Sequence, residues 1–600
     1  MVQRIQDYAL IGDCETAALV GKNGSIDWLC LPRFDSPACF AALLGEHGNG
    51  HWQIAPADPP KRITRRYRPE SLVLETVFET AGGVCMLTDF MPVRDGPPTL
   101  VRIVTGIEGR VDLRMELVIR FDYGQLIPWV WRVDDKLIAI AGPDMIVLRT
   151  PANHHGEDLK TVADFAVGNG EEVPFVLSHN PSHLKAPEPL EPRAALDKTE
   201  AYWRNWAARG NYEGRWRESV VRSLITLKAL TFSPTGGIIA APTTSLPEMP
   251  GGTRNWDYRY CWLRDATFVL LSLMQAGYRQ EAAAWRDWLA RAVAGHPSQI
   301  QPLYSVTGAH RVDEWELPWV PGYGGAGPVR IGNAGCRQLQ LDTFGEVLDA
   351  LHHARRYDLA PTRESWSLQQ ALLSYLETLR GELDHGIWEV RGRKQHFTHS
   401  KVMMWVAFDR AVSAVEDFGL DGPADHWRSL RDSLHAEICE RAFDRELGSF
   451  VQAYGSKQLD AATLLIPLVG FLPATDPRMI STVDAIGKRL MRDGFVHRYD
   501  SHETEDGLPP GEGVFLACTF WYIDNLILQG RHDEGIRMFE DLLAIRSDVG
   551  LLSEQYDVVN GNLLGNFPQA LSHLALIDTA YNLSAAQGPA RQRSKHRRAE

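Results

Sequence analysis

Three segments of this 600-residue chain combine carboxylates, aromatic rings and glycine in a way that core packing does not require. Together such groups can transfer protons beside a flat apolar wall. The first segment is Asn255-Trp256-Asp257-Tyr258-Arg259-Tyr260-Cys261-Trp262-Leu263-Arg264-Asp265, which opens an apolar helical run from Ala266 to Met274. On local sequence alone Asp265 serves as a helix cap, whereas the density of aromatics favours a sugar-binding wall. The second is Asp384-His385-Gly386-Ile387-Trp388-Glu389-Val390, followed by the cations of Arg391 to Lys394 and a helix carrying His399, Lys401 and Trp405. A Glu directly after a Trp acts as a proton donor when the indole desolvates it and lifts its pKa; otherwise Glu389 is a solvated loop acid. The third is Leu551-Leu552-Ser553-Glu554-Gln555-Tyr556-Asp557, with Gly565 to His573 after it. Gln555 and Tyr556 offer Glu554 an amide and a phenol that can hold a water. A carboxylate that must stay ionised to take water's proton wants such a polar seat.

The elements that must position these segments change character along the chain. Val111, Leu113, Met115, Leu117 and Ile119 alternate with polar residues, the period of a half-buried antiparallel strand. Leu72 to Thr80 and Val84 to Phe90 read as a hairpin, and so do Ala17 to Val20 and Ser25 to Leu31 around Asn23-Gly24. Between Pro181 and Pro192 repeated prolines forbid both helix and central strand, which marks a domain boundary. Beyond it the apolar period becomes helical, as in Val220, Leu224 and Leu227, and again in Leu341, Phe344, Leu348 and Leu351. Ala241 to Arg254 and Pro318 to Gly335 are long Gly- and Pro-rich connections of the kind that carry function.

Composition removes whole classes of activity. The formal charge of −14 supplies no basic field for a phosphate backbone, so nucleic acid is not an expected partner. No apolar run reaches the roughly 18–20 residues of a membrane helix; Pro467 breaks the best one, Ala461 to Leu472. Met1 to Val20 lack the pattern of a secretory signal, and eight cysteines without a CxxC pair suggest neither a zinc site nor a disulfide framework. A reducing cytoplasm is the expected compartment. The 18 tryptophans hint at carbohydrate through stacking on sugar C–H faces, although Trp also serves as plain core.

Taken in order, these motifs resemble glycoside hydrolase family 15, the glucoamylases, bacterial trehalases and related α-glucosidases, nearly end to end. Asp7-Tyr8, Gly12-Asp13-Cys14-Glu15-Thr16 and Gly24-Ser25-Ile26-Asp27-Trp28-Leu29 look like the opening of trehalase-like bacterial members. Trp262-Leu263-Arg264-Asp265 resembles the family's substrate clamp, Trp388-Glu389 its general-acid segment, and Ser553-Glu554-Gln555-Tyr556-Asp557 its general-base segment. The resemblance implies an N-terminal antiparallel β-sandwich followed by an all-α (α/α)6 barrel whose connecting loops make the pocket. The implied divisions are a sandwich over 1–180, a linker with a helix over 181–215, a catalytic barrel over 216–586 and a disordered basic tail over 587–600.

Carried over residue by residue, Glu389 is the general acid and Glu554 the general base. Arg264 and Asp265 hold hydroxyls of the innermost glucosyl unit, with Trp262 and Trp388 as walls. Pro328-Val329-Arg330-Ile331-Gly332-Asn333 resembles a further sugar-contacting loop and nominates Arg330, with Trp315 and Glu316 beside it. Where fungal members have a second acid, Val390 follows Glu389. The implied reaction is inverting, exo-acting hydrolysis of an α-linked glucoside or oligosaccharide without metal or organic cofactor, with α,α-trehalose the first substrate and maltodextrins or isomaltose the alternatives. A glycoside phosphorylase would not need Glu554, and a non-catalytic sugar-binding protein would need neither carboxylate. Whether the chain forms a homo-oligomer is left open.

Overall fold

The computed structural model of the chain describes residues 3–359, 363–584 and 588–593. The first third is antiparallel sheet built around one long strand, Thr99–Val118. Its first half pairs with Glu172–Pro181 and Gly83–Phe90, and its second half with Lys160–Gly168 and His51–Pro56, so it belongs to both layers of the sandwich. Period-two alternation marks only the half from Val111 onward. The half from Leu100 to Val104 is buried on both faces, which erases the alternation that sequence reasoning relies on. Arg102 lies within this stretch at 0% exposure, held by Asp89 at 2.7 Å and by the carbonyls of Trp52 and Gly24. Both expected hairpins form, Leu74–Glu79 with Gly83–Phe90 and Ala17–Gly21 with Ser25–Cys30. In the second, Gly24 takes φ +78°, and a Cβ there would approach the Ile54 carbonyl oxygen to 2.3 Å, so glycine is required.

The proline-rich stretch ends where Pro192, restricted to a helical φ, opens α1 (Pro192–Ala207), with the Glu191 carboxylate accepting from the amides of Arg193 and Ala194. The helices that follow are α2 (Arg217–Ala229), α3 (Ala266–Gln275), α4 (Arg279–Ala292), α5 (Asp342–Arg356), α6 (Arg363–Thr378), α7 (Thr398–Glu416) and α8 (Ala424–Arg441). Then come α9 (Leu465–Leu468), led by a 3-10 turn at Ala461–Leu464, and α10 (Pro477–Arg489), α11 (Leu516–Leu528), α12 (His532–Ala544) and α13 (Ala570–Ser584). Among the described residues, α3, α5, α7, the Ala461–Leu468 pair, α11 and α13 pack side by side and close into an inner ring, each backed by an outer helix. Of the inner helices, α3 and α11 are buried almost all round and are almost wholly apolar, so they show no amphipathic stripe, whereas α5 keeps the apolar spacing of Phe344, Leu348 and Leu351. This is the expected (α/α)6 barrel.

A connection enters the N-terminus of each inner helix, and these connections share one end of the ring. Two of them are the long Gly- and Pro-rich stretches at 241–254 and 318–335. The β-domain buttresses this end: Trp28 Nε1 donates to the Pro242 carbonyl at 2.7 Å, and Arg259 Nη1 to the Ser36 carbonyl at 2.9 Å. Arg259 and Asp257 form a pair with both side chains at 0% exposure.

The chain end departs from expectation. Instead of a solvated tail from Gln587, residues Pro589–Arg593 form a short helix, α14, packed against α3, α9, α11 and α13, with Arg593 at 2% exposure. Two buried acids on α5 draw its guanidinium inward, and the cationic spacing that reads as a solvated run conceals that attraction. The part of the expected tail at 594–600 lies outside the described residues. All eight cysteines are free thiols, and among the described residues no helix is long and apolar enough to cross a membrane.

Removing one partner of a buried ion pair strands the other charge, which costs about 3–5 kcal/mol. Arg259→Met is expected to lower the urea midpoint accordingly and to reduce kcat/KM, because the anchored segment carries Tyr258 and Trp262. A wild-type midpoint and wild-type kcat/KM would show that the junction does not hold that segment.

Candidate active site

The connections into the inner-ring helices form a pocket lined by Trp262, Arg264, Asp265, Trp388, Glu389 and Glu554 among others. Six of the nine residues nominated from sequence therefore meet in one cavity although they lie on three separate segments. Arg330, Trp315 and Glu316 are not part of its lining. Arg330 holds its guanidinium 4.8 Å from the ring centre of Trp256 and bonds to the Thr253 and Asn255 carbonyls, so it braces residues of the pocket wall without lining the pocket itself. Trp315 is 46% exposed and Glu316 faces solvent beside Arg330.

The Glu389 loop is tightly wound. Glu389 and Gly386 adopt φ +57° and +67°, a left-handed conformation in which a non-glycine residue is strained and persists only where its surroundings impose it. Asp384 supplies that constraint: its Oδ2 accepts from the Leu341 and Gly386 amides and from Ser400 Oγ. The indole that reaches Glu389 is not its chain neighbour. Trp388 Nε1 donates to Asp460 Oδ1 at 2.8 Å, while Trp262 Nε1 donates to Glu389 Oε1 at 2.7 Å. Arg264 Nη1 lies 3.6 Å from the same oxygen. Glu389 Oε2 rests against Gly335, where a Cβ would come within 2.7 Å.

Glu554 is buried to 1% exposure. Its polar seat also comes from elsewhere: Tyr258 Oη donates to Oε1 at 2.6 Å and Gln569 Nε2 approaches it at 3.5 Å. Gln555 begins the strand Gln555–Asp557, which pairs on both sides, and side chains alternate along such a strand, so the residue after Glu554 cannot share its direction. Glu554 Oε2 accepts no hydrogen bond from the described residues and sits against Gly565, itself at φ +71°, where a Cβ would approach to 2.7 Å. Burial, reinforced by the neighbouring carboxylate of Glu248, pushes the Glu554 pKa up to about 8, opposed by the Tyr258 hydrogen bond and by Arg498 and Arg264. The sequence alone suggested a seat that keeps this acid ionised; the structure gives a dry one that favours the proton.

Asp265 occupies the N-cap position of α3 but makes no capping bond; its Oδ1 accepts from Arg264 Nε at 3.2 Å. The Arg264–Asp265 pair faces into the pocket, and Arg264 is fixed by the Ile387 carbonyl at 2.8 Å. A further part of the lining was invisible to sequence reasoning. Glu248 accepts from Trp256 Nε1 at 2.9 Å and from Arg498 Nη2 at 2.9 Å, Arg498 also binds Glu512, and Arg254 pairs with Asp506 at 2.8 Å. Glu248 and Arg254 sit in the long connection 241–254, so its length was the available signal. Tyr258 lies inside the aromatic segment already singled out. Among the described residues no group of three or more His, Cys, Asp or Glu side chains is arranged to hold a metal ion.

Residues 214–581 match the model of the family described as "Glycosyl hydrolases family 15", and residues 1–193 match that described as "Trehalase-like, N-terminal". The chain is 38% identical to a trehalase of Mycobacterium tuberculosis over 97% of its own length and 90% of the relative's. It is 36% identical to trehalases of Thermoplasma volcanium, covering 97% of this chain and 94% of that one, and of Thermoplasma acidophilum, covering 95% and 98%. A crystal structure of a bacterial glucoamylase complexed with acarbose shares the fold with a TM-score of 0.73 at 14% identity, covering 97% of this chain and 94% of that one. On the matched length of its helical part and its identity to these relatives, the chain belongs to glycosyl hydrolases family 15.

Proposed function

We propose that the chain is an inverting, exo-acting α-glucoside hydrolase whose substrate is α,α-trehalose, with Glu389 as general acid and Glu554 as general base. The observation that carries the roles is the pair of carboxylates on one pocket, each with one oxygen fixed by a donor and the other lying bare against a glycine. Glu389 Oε2 delivers its proton to the departing glycosidic oxygen while Glu554 Oε2 takes a proton from the water attacking C1 on the opposite face. The anomeric carbon passes through an oxocarbenium-like state and is inverted. Arg264 and Asp265 supply the charge-assisted hydrogen bonds that seat the glucose whose C1 reacts.

The wall made by Glu248, Arg254, Arg498 and Asp506 supports a compact polar leaving group. Trp256, the aromatic ring on that side, has two guanidiniums close to it, Arg391 at 4.4 Å and Arg330 at 4.8 Å from the ring centre, which compete with a longer glucan for stacking there. A second glucose, rich in hydroxyls, suits that lining. The trehalases among the relatives support the same reading.

Trehalose supplied to the purified protein should yield one β- and one α-glucose per turnover by early-time NMR, because the leaving unit keeps its configuration. Two α-glucose molecules, or glucose 1-phosphate formed only with phosphate present, would overturn the mechanism. Glu554→Gln should lower kcat by roughly 10²–10⁴ while substrate still binds, since an amide cannot accept water's proton.

Two consequences follow from the raised Glu554 pKa. The base works ionised and the acid protonated, so over the range where Glu389 keeps its proton kcat/KM should climb as Glu554 ionises, with a limb near pH 8. Tyr258→Phe, which removes a bond that favours the carboxylate, should move that limb to higher pH, by up to about one unit or tenfold in kcat/KM at fixed acidic pH. A limb unmoved in Tyr258→Phe would detach Tyr258 from the base. In stability the sign reverses: a carboxyl whose folded pKa lies above its unfolded value of about 4.3 brings no penalty below pH 4 and its full penalty above the folded pKa. The melting temperature of Glu554→Gln should therefore exceed that of wild type by a margin that widens from pH 5 to pH 9, and a constant margin would refute the buried-proton account.

A further inference from the structure

The helix α14 packs against α3, α9, α11 and α13, and the sequence offers no reason for it to be there. Arg593 Nε donates to Asp349 Oδ2 at 2.7 Å and Nη2 to Glu346 Oε2 at 2.8 Å, a two-pronged grip on acids one turn apart on α5. Its guanidinium carbon stands 4.8 Å from the ring centre of Phe268, and its carbonyl accepts from Arg410 Nη2 at 3.1 Å. Asp349 has a second cation, Arg410 Nε at 2.7 Å; among the described residues Glu346 has only Arg593.

Two of the groups that Arg593 touches, Glu346 and Phe268, also line the pocket. Phe268 is on the first turn of α3, three residues after Asp265, so a ring displaced there moves the turn that presents Arg264 and Asp265. Glu346 is fully enclosed, and burial lifts its pKa to about 7 even with Arg593 in place. Without the guanidinium it would hold a proton and lose its anchor, because a buried carboxylate stays charged only when paired.

We propose that the C-terminal segment Pro589–Arg593 forms the floor of the sugar pocket and that Arg593 is a positioning residue, holding Glu346 and Phe268 beneath the glucose seat of Arg264 and Asp265. The assignment rests on that seat being the glucose-binding end of the pocket, as in the proposed function. It does not depend on which disaccharide is cleaved. Arg593 meets no substrate; it acts through the two side chains above it. The contribution is therefore to binding of the glucose unit common to every substrate, not to the proton transfers.

Glucose itself is the probe, with its affinity read by tryptophan fluorescence or calorimetry beside the kinetics on trehalose. Arg593→Met, which keeps most of the volume and removes the charge, should weaken glucose binding and raise the KM for trehalose by about 10–100-fold, the range for losing hydrogen bonds to a charged group, with a much smaller change in kcat. Arg593→Lys should recover part of the loss, and millimolar methylguanidinium should recover part of it in Arg593→Ala. A folded Arg593→Met with wild-type glucose affinity and KM, whether or not its melting temperature falls, would reduce α14 to a structural plug and overturn the proposal. Should Arg593→Met not fold, hydrogen exchange on wild type decides, because coupling between two sites is reciprocal. Glucose should slow exchange of the amides of 590–593, and rates unchanged at saturating glucose would overturn the proposal. Wild type that binds glucose but leaves trehalose intact would refute the substrate reading alone.

Discussion

One short stretch of chain sets the distance between the two carboxylates on which the chemistry depends. Tyr258 and Trp262 are four residues apart, their rings meet edge to face at 5.2 Å, and each donates one hydrogen bond, the phenol to Glu554 and the indole to Glu389. The two acids lie 554 − 389 = 165 residues apart in sequence and enter from connections to different helices. A shift of either loop alone would break a hydrogen bond of 2.6 or 2.7 Å, so the Tyr–Trp pair acts as a common ruler for both. The bare oxygens then point to where glycines 335 and 565 leave room, and any side chain at either position would occupy the place of substrate or water.

That ruler must itself be held, and the hold is electrostatic. Asp257 and Arg259 flank Tyr258 as a fully buried ion pair whose free donors and acceptors are all used: Arg259 reaches the Ser36 carbonyl in the β-domain, and Asp257 Oδ2 accepts from the Gly332 amide at 3.1 Å. The β-sandwich is thus part of the site without contributing a lining residue. The same arrangement recurs around the cavity in Arg264 with Asp265, Arg254 with Asp506 and Arg498 with Glu248 and Glu512. Carboxylates gathered in a dry throat would otherwise repel one another and take up protons, as Glu554 does for want of a cation of its own. Among the described residues Glu554 has no cation at ion-pair distance, which leaves its proton easily exchanged.

Much of this was legible from the sequence, and the limit falls at a definite physical boundary. Local order was readable: the alternation from Val111, both hairpins, the helical period after the prolines and the acid- and aromatic-rich connections all appear where expected. Motif resemblance carried the fold and brought Trp262, Arg264, Asp265, Trp388, Glu389 and Glu554 to one pocket. What failed was the assumption that a residue is served by its neighbours. Trp388 bonds to Asp460 while Trp262 bonds to Glu389, and Tyr258 with Gln569 serves Glu554 in place of Tyr556 and Gln555. Side-chain partners in a pocket are fixed by how helices close into a ring, and that information resides in no local window.

The chain end shows the same boundary from the other side. Arg591 and Arg593 are two residues apart in a run without an apolar anchor, and composition assigns both to solvent. Arg593 is instead buried because Glu346 and Asp349, some 240 residues earlier, sit at i and i+3 on a helix enclosed by the ring, where among the described residues Arg410 pairs with only Asp349 of the two and Glu346 has no cation but Arg593. Ala590 is buried in the core beside it, and charge supplies the rest of the anchor. The excess of acid at the centre of the barrel is what draws a cationic segment in, so an electrostatic deficit created by one part of the sequence determines the conformation of another that carries no conformational signal of its own.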